Sequence, residues 1–192
     1  MEIFVIVFIS YLIGSVPFGF ILTKIFLKKD IRNIGSGNIG ATNVLRTGNK
    51  LVGYITLFFD VAKAVGPLLF IKFYHNEYLY LSSLAVFMGH VFPIWLKFKG
   101  GKGVATYIGI LFSINYILGF IFIFTWLIIM IIFKYSSLSS LVSSLIIPVY
   151  QFIFTSSNNY YFYIIMFILI FYTHRENIKR LKNNTESKTK IY

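Results

Sequence analysis

Three lysines and three glycines are interleaved in the segment 97–103, which reads Lys-Phe-Lys-Gly-Gly-Lys-Gly. Glycine lets the backbone adopt positive φ and approach a ligand closely, and consecutive backbone N–H groups in such a turn form an anion-binding concavity. Lysine adds charges suited to phosphate, and an apolar segment beginning at Val104 would place the glycines at a helix N-terminus, which also favours anions. The segment therefore predicts either a phosphate site at a membrane surface or a tight interfacial turn whose lysines only set topology.

Two other segments are also rich in hydrogen-bonding and cationic side chains. Residues 35–46 read Gly-Ser-Gly-Asn-Ile-Gly-Ala-Thr-Asn-Val-Leu-Arg, and residues 174–180 read His-Arg-Glu-Asn-Ile-Lys-Arg. Such groups match an anionic, phosphate-bearing ligand, and across the three segments they are Ser36, Asn38, Thr42, Asn43, Arg46, Lys97, Lys99, Lys102, His174, Arg175 and Asn177. Apolar helices beside them would offer grooves for an acyl chain. The combination indicates chemistry between a phosphorylated headgroup and a lipid chain.

Several shorter patterns do not indicate the functions with which they are usually associated. Gly35-x-Gly37-x-x-Gly40 fits a dinucleotide fingerprint, but it follows a predicted transmembrane helix and not a strand. The segment around Lys102 lacks the Ser/Thr and glycine spacing of a P-loop. The three histidines have no metal-ligand partners at useful spacing, so we predict neither a metal site nor a cofactor.

The composition is that of an integral membrane protein. Of the 192 residues, 57% are hydrophobic and only 12% are charged, and the mean hydropathy is +0.77. A soluble domain carries about twice that share of charge. The chain has no cysteine, which excludes disulfides and thiolate metal sites.

The apolar segments predict an all-α fold with seven transmembrane helices. As one helix, residues 104–133 would be about 45 Å long, too long for a hydrocarbon core of about 30 Å. We therefore predict a hairpin near residues 113–116. The predicted spans are 3–26 (with a kink at Pro17), 51–74, 78–96, 104–114, 116–133, 138–154 and 160–173. They form a single polytopic domain over residues 1–182, with an outer turn at 156–159 and a flexible cytoplasmic tail at 183–192.

The positions of the basic residues predict the orientation. Every lysine and arginine except Lys63 and Lys72 falls in a loop, loop edge or tail on the same side of this arrangement. By the positive-inside rule that side is cytoplasmic, so the N-terminus lies outside and the C-terminus inside. The three polar segments then meet at the cytoplasmic face. Topology and attraction to anionic lipid account for the net charge of +12 without a nucleic-acid partner.

Two charged residues and one histidine lie within the predicted spans. Asp60 and Lys63 are three residues apart, so they share a helix face and can form an ion pair. Intramembrane charges usually face the interior of a bundle. The pair is either structural or catalytic, and His90 either packs between helices or supports the site.

The three polar segments together resemble those of a known protein family. They resemble, in order, the three signature motifs of the bacterial acyl-phosphate:glycerol-3-phosphate acyltransferase family, often called PlsY. The motifs correspond to residues 35–46, to Gly89-His90-Val91-Phe92-Pro93 continuing through 98–106, and to 174–181. The resemblance covers nearly the whole chain and leaves out the tail beyond Leu181.

The resemblance implies a fold, a reaction and partners. The fold is a seven-span protein of the bacterial cytoplasmic (inner) membrane, with an external N-terminus and a cytoplasmic active site. The enzyme would move an acyl group from acyl phosphate to the 1-hydroxyl of sn-glycerol 3-phosphate, giving lysophosphatidate and phosphate, the first committed step of phospholipid synthesis. A soluble phosphate acyltransferase that makes acyl phosphate would be a functional partner, together with membrane lipid.

We assign roles to residues as a hypothesis on that basis. Ser36, Arg46 and Lys102 would surround the acyl phosphate, and the backbone of 100–103 would shape the anion site. His174 and Asn177 would orient glycerol 3-phosphate, with either the leaving phosphate or His174 as the proton acceptor. The expected binding residues are Gly37, Asn38, Thr42, Asn43, His90, Lys97, Lys99, Gly100, Gly101, Gly103 and Arg175.

A membrane transporter for organic phosphate or other anions is the alternative, because a basic, glycine-rich vestibule would suit it too. Against this, the sequence shows no obvious internal repeat, and its polar groups cluster at one face and not near the midplane.

Overall fold

The structure, a computed structural model, describes residues 1–155 and 159–189. No strand occurs in these two ranges, so the predicted all-α class is confirmed. Their α-helices are α1 (Glu2–Gly14), α2 (Phe18–Leu27), α3 (Ala41–Leu45), α4 (Lys50–Tyr74), α5 (Leu79–Val91), α6 (Val104–Ile114), α7 (Tyr116–Phe133), α8 (Ser136–Phe154), α9 (Tyr160–Thr173) and α10 (Arg175–Lys182). The chain divides into two compact units, residues 1–114 and 115–192. Residues 156–158 of the predicted outer turn, and residues 190–192 of the predicted tail, lie outside the described ranges.

The helices have the lengths and surfaces of membrane spans. Among the described residues, five helical segments are long and apolar enough to cross a bilayer: Glu2–Leu27, Lys50–Tyr74, Asn76–Leu96, Tyr116–Phe133 and Ser136–Phe154. Two shorter apolar helices are α6 and α9. Large apolar side chains such as Phe4, Phe58 and Phe124 are exposed on the helix surfaces. In water such surfaces would drive aggregation, but against lipid tails they cost nothing.

In the first unit, the first apolar segment is broken at the predicted proline. α1 ends at Gly14 and α2 begins at Phe18, with Pro17 immediately before α2. Proline has no N–H to continue the helical hydrogen-bond ladder. The Val16 carbonyl in the break accepts a hydrogen bond of 2.9 Å from Lys63 Nζ on α4. The same carbonyl also accepts a hydrogen bond of 3.2 Å from the Phe18 N–H, so a local backbone donor and a side chain of a neighbouring helix together satisfy it.

Small residues let α1 and α5 approach closely. A Cβ added to Gly14 would lie 2.2 Å from the Val86 carbonyl oxygen on α5. A Cβ added to Gly89 would lie 2.2 Å from the Tyr11 carbonyl oxygen on α1. Contacts this short would force the helices apart, so the two glycines allow the backbones to pack directly.

Three chain segments meet at one end of the first unit. Glu2 Oε1, at the start of α1, lies 2.8 Å from His75 Nδ1 in the α4–α5 loop. Lys72 Nζ, near the end of α4, donates to the carbonyls of Ser113 and Ile114 at 2.9 and 3.0 Å. The start of α1 therefore lies at the same end of this unit as the C-termini of α4 and α6.

In the second unit, α8 packs against α7 and α9 with a buried face of serines. Ser139, Ser140 and Ser143 each donate to the carbonyl one turn earlier. Trp126 Nε1 of α7 donates to Ser140 Oγ at 3.1 Å. Serine suits this face because it is small enough for close packing, and its hydroxyl finds a partner within its own helix.

The last described residues lie against the rest of the second unit. Thr189 N donates to the Lys134 carbonyl at 2.8 Å, and Glu186 accepts side-chain hydrogen bonds from α8 and α10. Composition could not show this arrangement, because it depends on one acidic side chain finding its donors. The flexible tail predicted over residues 183–192 stays a prediction.

Candidate active site

Asn43 organises the polar loop before α3. Its side chain is buried, and its Oδ1 accepts a hydrogen bond of 3.0 Å from the Ser36 N–H. Its Nδ2 lies within 3.2 Å of three loop carbonyls, those of Ile31, Ile34 and Asn38. We had predicted Asn43 as a substrate-binding residue, and in the structure its amide holds the loop that presents Ser36.

Ser36 and Arg46 lie at the surface of this loop. Gly35 and Gly37 flank the serine with φ of +56° and +70°, values that glycine adopts without strain. A Cβ added to Gly35 would lie 3.1 Å from Arg46 Cδ and 3.6 Å from one of its guanidinium nitrogens. The arginine side chain therefore runs beside the serine loop. A hydroxyl and a guanidinium placed together suit a phosphoryl group.

A neighbouring cation is already paired. Arg32 donates to both carboxylate oxygens of Asp30, with Nε and NH2 distances of 2.6 to 3.2 Å. Together with the Arg32 N–H, it lowers the pKa of Asp30 to about 2. The carboxylate conversely raises the pKa of Arg32. Arg32 is exposed and Asp30 is partly exposed, so the pair adds little stability.

The glycine-rich segment is held against the C-terminal end of α5. The Gly100 N–H donates to the Val91 carbonyl, and the Gly101 N–H donates to the His90 carbonyl, both at 3.0 Å. These two amides therefore bind protein carbonyls, whereas the sequence had suggested that they line an anion site. Gly103 has a φ of +86°. The glycines position Lys102 between α5 and α6.

Asp60, Lys63 and His90 form a buried cluster behind the glycine-rich segment. Lys63 Nζ lies 2.7 Å from Asp60 Oδ1 and 2.8 Å from His90 Nδ1, and it also donates to the Val16 carbonyl. The Lys63 ammonium has three protons, and each of these three acceptors can take one. His90 Nδ1 can accept a hydrogen bond only if the ring is neutral and carries its proton on Nε2. The predicted Asp60–Lys63 pair is confirmed, and its burial demands such partners.

The cluster contacts the glycine-rich segment through the His90 ring. A Cβ added to Gly101 would lie 2.0 Å from His90 Nε2. His90 is thus both a partner of the buried lysine and a wall of the segment that carries Lys102. The sequence left open whether His90 packs between helices or supports the site. The structure shows the ring packed between Lys63 and Gly101, and its support of the site stays a prediction.

In the second unit, His174 lies at the junction of α9 and α10. The ring is buried, and Nδ1 is 2.8 Å from the Ile170 carbonyl oxygen. Because a carbonyl only accepts, Nδ1 carries a proton, and in the neutral ring Nε2 is then the basic nitrogen. A fixed tautomer of this kind is what a proton acceptor requires.

The other two predicted residues of this segment have different environments. Asn177 is buried on α10, and its Nδ2 donates to Glu186 Oε1 at 2.6 Å. Arg175 is exposed and lies over the Tyr172 ring, 4.6 Å from its centroid.

The remaining predicted binding residues lie in the first unit. Thr42, Lys97 and Lys99 are exposed there, and Asn38 is partly buried.

Sequence reasoning missed Glu186 and Ser137 as part of this region. Ser137 Oγ and Arg180 Nε also donate to Glu186, at 2.8 and 2.6 Å. The sequence feature that could have identified Glu186 is that it is the one acidic residue of the basic segment 183–192.

Known proteins resemble the chain over nearly its full length. The family model described as glycerol-3-phosphate acyltransferase matches residues 4–184. A glycerol-3-phosphate acyltransferase of Pelagibacter ubique (strain HTCC1062) is 66% identical over 192 residues, which is 100% of both chains. One from Anaplasma marginale (strain Florida) is 45% identical over 185 residues, 95% of this chain and 93% of the relative.

Two solved structures also resemble this chain over nearly its full length. The crystal structure of PlsY (YgiH), an integral membrane glycerol 3-phosphate acyltransferase, in its glycerol 3-phosphate form is 34% identical with a TM-score of 0.92, covering 99% of this chain and 96% of that one. The lysophosphatidic acid form is 33% identical with a TM-score of 0.88, covering 98% and 95%. The resemblance drawn from the three polar segments is confirmed. The chain belongs to the glycerol-3-phosphate acyltransferase family.

Proposed function

We propose that this chain is a membrane acyltransferase that acylates the 1-hydroxyl of sn-glycerol 3-phosphate from acyl phosphate. The main support is the relative solved in both a glycerol 3-phosphate and a lysophosphatidic acid form, which matches this chain along almost all of its length. These two molecules are an acceptor and a product of such a transfer. The acyl phosphate donor comes from the resemblance of residues 35–46, 89–106 and 174–181 to the family motifs.

The reaction balances without a covalent enzyme intermediate. The acceptor oxygen bonds to the acyl carbon, the bond between that carbon and the phosphate oxygen breaks, and inorganic phosphate leaves. The hydroxyl proton passes either to the leaving phosphate or to His174 Nε2. Acyl phosphate is an activated donor, so stabilising the charge of two phosphates is the main task of the protein.

The donor phosphate is assigned to the first unit. Ser36 and Arg46 are adjacent, on a loop held by Asn43. Lys102 follows a glycine pair that is fixed to α5 by backbone hydrogen bonds. Gly37, Asn38, Thr42, Lys97, Lys99, Gly100 and Gly103 belong to the same two segments and are proposed to shape the site around the phosphate.

The acceptor is assigned to the second unit. The basic nitrogen of His174 and the amide of Asn177 would orient the glycerol hydroxyls, and Arg175 adds a cation nearby. Of these three residues, His174 and Asn177 are buried and held by hydrogen bonds, and they are the stronger candidates for defined contacts.

We further propose seven membrane spans in a bacterial inner membrane, with the N-terminus outside and the C-terminus in the cytoplasm. Five segments are long enough, and α6 and α9 supply two shorter spans. The Glu2–His75 contact supports this arrangement, because it joins two segments that are both assigned to the outer side. The distribution of basic residues indicates, by the positive-inside rule, which side is cytoplasmic. A soluble phosphate acyltransferase that makes acyl phosphate is the proposed functional partner.

The test uses purified protein in liposomes with palmitoyl phosphate and glycerol 3-phosphate, and measures release of phosphate and lysophosphatidate. Parallel reactions contain palmitoyl-CoA in place of palmitoyl phosphate. Turnover with palmitoyl phosphate alone would support the proposal, whereas turnover only with the CoA donor would overturn the donor assignment. Uptake of labelled glycerol 3-phosphate without any donor or product would support a transporter.

Residue roles are tested in the same assay. Ser36→Ala and Lys102→Ala should each lower kcat/KM for acyl phosphate by about tenfold or more, since each removes a charged or hydrogen-bonding contact to phosphate. Wild-type activity in Ser36→Ala would contradict its assigned role.

A further inference from the structure

Three side chains of the second unit donate to a single carboxylate. Ser137 Oγ and Asn177 Nδ2 lie 2.8 and 2.6 Å from Glu186 Oε1, and Arg180 Nε lies 2.6 Å from Glu186 Oε2. The donors come from α8 and α10, and the acceptor comes from the segment after α10. The Glu186 side chain is only 5% exposed. This arrangement is a built acceptor site and not a chance surface contact.

Burial of a carboxylate is unfavourable unless hydrogen bonds and opposite charge compensate for the lost water. Burial alone would raise the pKa of Glu186, but the hydrogen bonds from Asn177, Arg180 and Ser137 outweigh it and hold the pKa below its ordinary value. The side chain is therefore ionised at neutral pH. An ionised carboxylate can only accept hydrogen bonds, so the Asn177 group that faces it is the NH2 and not the carbonyl oxygen.

Glu186 also connects α10 to α8. α10 has only eight residues and begins directly after His174, whose N–H donates to Ile170 and whose carbonyl accepts from Ile178. A helix this short is unstable by itself and depends on packing contacts. The Ser137 contact connects Glu186 to α8, and the Asn177 and Arg180 contacts connect Glu186 to α10. The Thr189 hydrogen bond to Lys134 secures the same segment beyond Glu186.

We propose that Glu186 is a positioning residue for the acceptor substrate, acting through Asn177. Its carboxylate fixes both the rotamer and the amide orientation of Asn177 and holds α10 on α8. This rests on the proposed role of Asn177 in binding glycerol 3-phosphate.

A competing interpretation of Glu186 predicts the opposite change in KM for glycerol 3-phosphate. A carboxylate held by asparagine, serine and arginine occupies donors that a phosphate could also use. If Glu186 were such a competitor, its removal would improve glycerol 3-phosphate binding. If it positions Asn177, its removal weakens that binding. The direction of the change in KM therefore separates the two.

The test compares Glu186→Gln with Glu186→Asp, and uses Glu176→Gln, an exposed glutamate on α10, as the matched control. For Glu186→Gln we expect KM for glycerol 3-phosphate to rise about tenfold. Glutamine removes the charge and one of the two acceptor oxygens that Asn177, Ser137 and Arg180 share, so Asn177 is held less firmly in one orientation. KM for palmitoyl phosphate should stay within about twofold. Glu186→Asp keeps the charge and should recover part of the loss, and Glu176→Gln should behave as wild type.

A double-variant cycle separates positioning from general destabilisation. If Glu186 acts through Asn177, adding Glu186→Gln to Asn177→Ala should raise KM no further. If the effects of Glu186→Gln and Asn177→Ala on KM were additive, the proposal would be overturned. So would an unchanged or lower KM in Glu186→Gln, or equal rises in KM for both substrates together with a lower melting temperature. Failure of the proposed function is distinguishable, because the wild-type protein itself would then not turn over palmitoyl phosphate.

Discussion

Replacing Gly101 with alanine places a methyl group against the buried histidine. The added Cβ would lie 2.0 Å from His90 Nε2, 2.7 Å from its Cε1 and 2.9 Å from its Cδ2. Ordinary van der Waals contact begins near 3.4 Å, so the ring and the segment must separate by about 1.4 Å. Gly101 does not have a positive φ, so the effect is steric and not a matter of backbone preference.

The histidine has little freedom to make that movement. It is 3% exposed, and its Nδ1 is hydrogen-bonded to Lys63, which is itself paired with Asp60. Forcing extra volume into a packed site costs about 1–3 kcal/mol. If the glycine-rich segment moves instead, Lys102 shifts by about 1 Å, and a misplacement of that size can reduce activity about 100-fold. We therefore expect both a lower melting temperature and a loss of about 100-fold in kcat/KM.

The assay is phosphate release from palmitoyl phosphate in the presence of glycerol 3-phosphate, with melting temperature measured in the same detergent. Gly66→Ala is the matched control, because a Cβ at Gly66 meets nothing within 4 Å. Alanine is also favoured over glycine inside a helix, so this variant should be as stable as wild type or slightly more stable.

A second variant isolates the proposed contact. His90→Ala removes the ring, so adding Gly101→Ala to it should cost much less than adding Gly101→Ala to the wild-type protein. If the cost were the same in both backgrounds, or if Gly101→Ala alone kept full activity and stability, the reasoning about this contact would be refuted.

Three other predictions concern the buried pair, the serine loop and the tail. Lys63→Met leaves Asp60 buried without its cation and should destabilise the protein by about 3–5 kcal/mol, whereas Lys63→Met combined with Asp60→Asn should melt closer to wild type. Asn43→Ala removes the hydrogen bonds that hold the Ser36 loop and should lower kcat/KM for acyl phosphate about tenfold or more, measured by phosphate release; wild-type kinetics would contradict this. The pKa of Glu186 is lower in the folded protein than its ordinary 4.5, so its stabilisation is complete above about pH 5 and declines as the pH falls through the folded value. Melting temperature should therefore fall less steeply between pH 6 and pH 3 in Glu186→Gln than in wild type.

Features that depend on local spacing could be predicted from the sequence. Helical class followed from the apolar segments, and Pro17 marked the place where α1 gives way to α2. Asp60 and Lys63 pair as their spacing on one helix face suggested. The three polar segments also identified the family correctly.

Features that depend on tertiary contacts could not be predicted. His90 reaches Lys63 across 27 positions of sequence, and nothing local selects that partner. Gly100 and Gly101 looked like an open anion cradle, but their amides bind carbonyls of α5, because glycine permits close packing as readily as ligand contact. Glu186 contacts Ser137 of α8 across 49 positions of sequence, and the Thr189 N–H donates to the Lys134 carbonyl, and composition reveals neither partner.

The hydrogen bond between Lys63 and the Val16 carbonyl has a consequence for the order of membrane insertion. In lipid, an incompletely bonded backbone carbonyl is costly. The Val16 carbonyl accepts a local hydrogen bond of 3.2 Å from the Phe18 N–H, and its second donor comes 47 residues later, on α4. The break between α1 and α2 therefore cannot reach its final, fully bonded form when the first segment leaves the ribosome. Its completion must await insertion of α4, and that same event gives the lysine ammonium an acceptor in addition to Asp60, before His90 of α5 is available. Biogenesis of the N-terminal segment and burial of the charged pair are thus one coupled step.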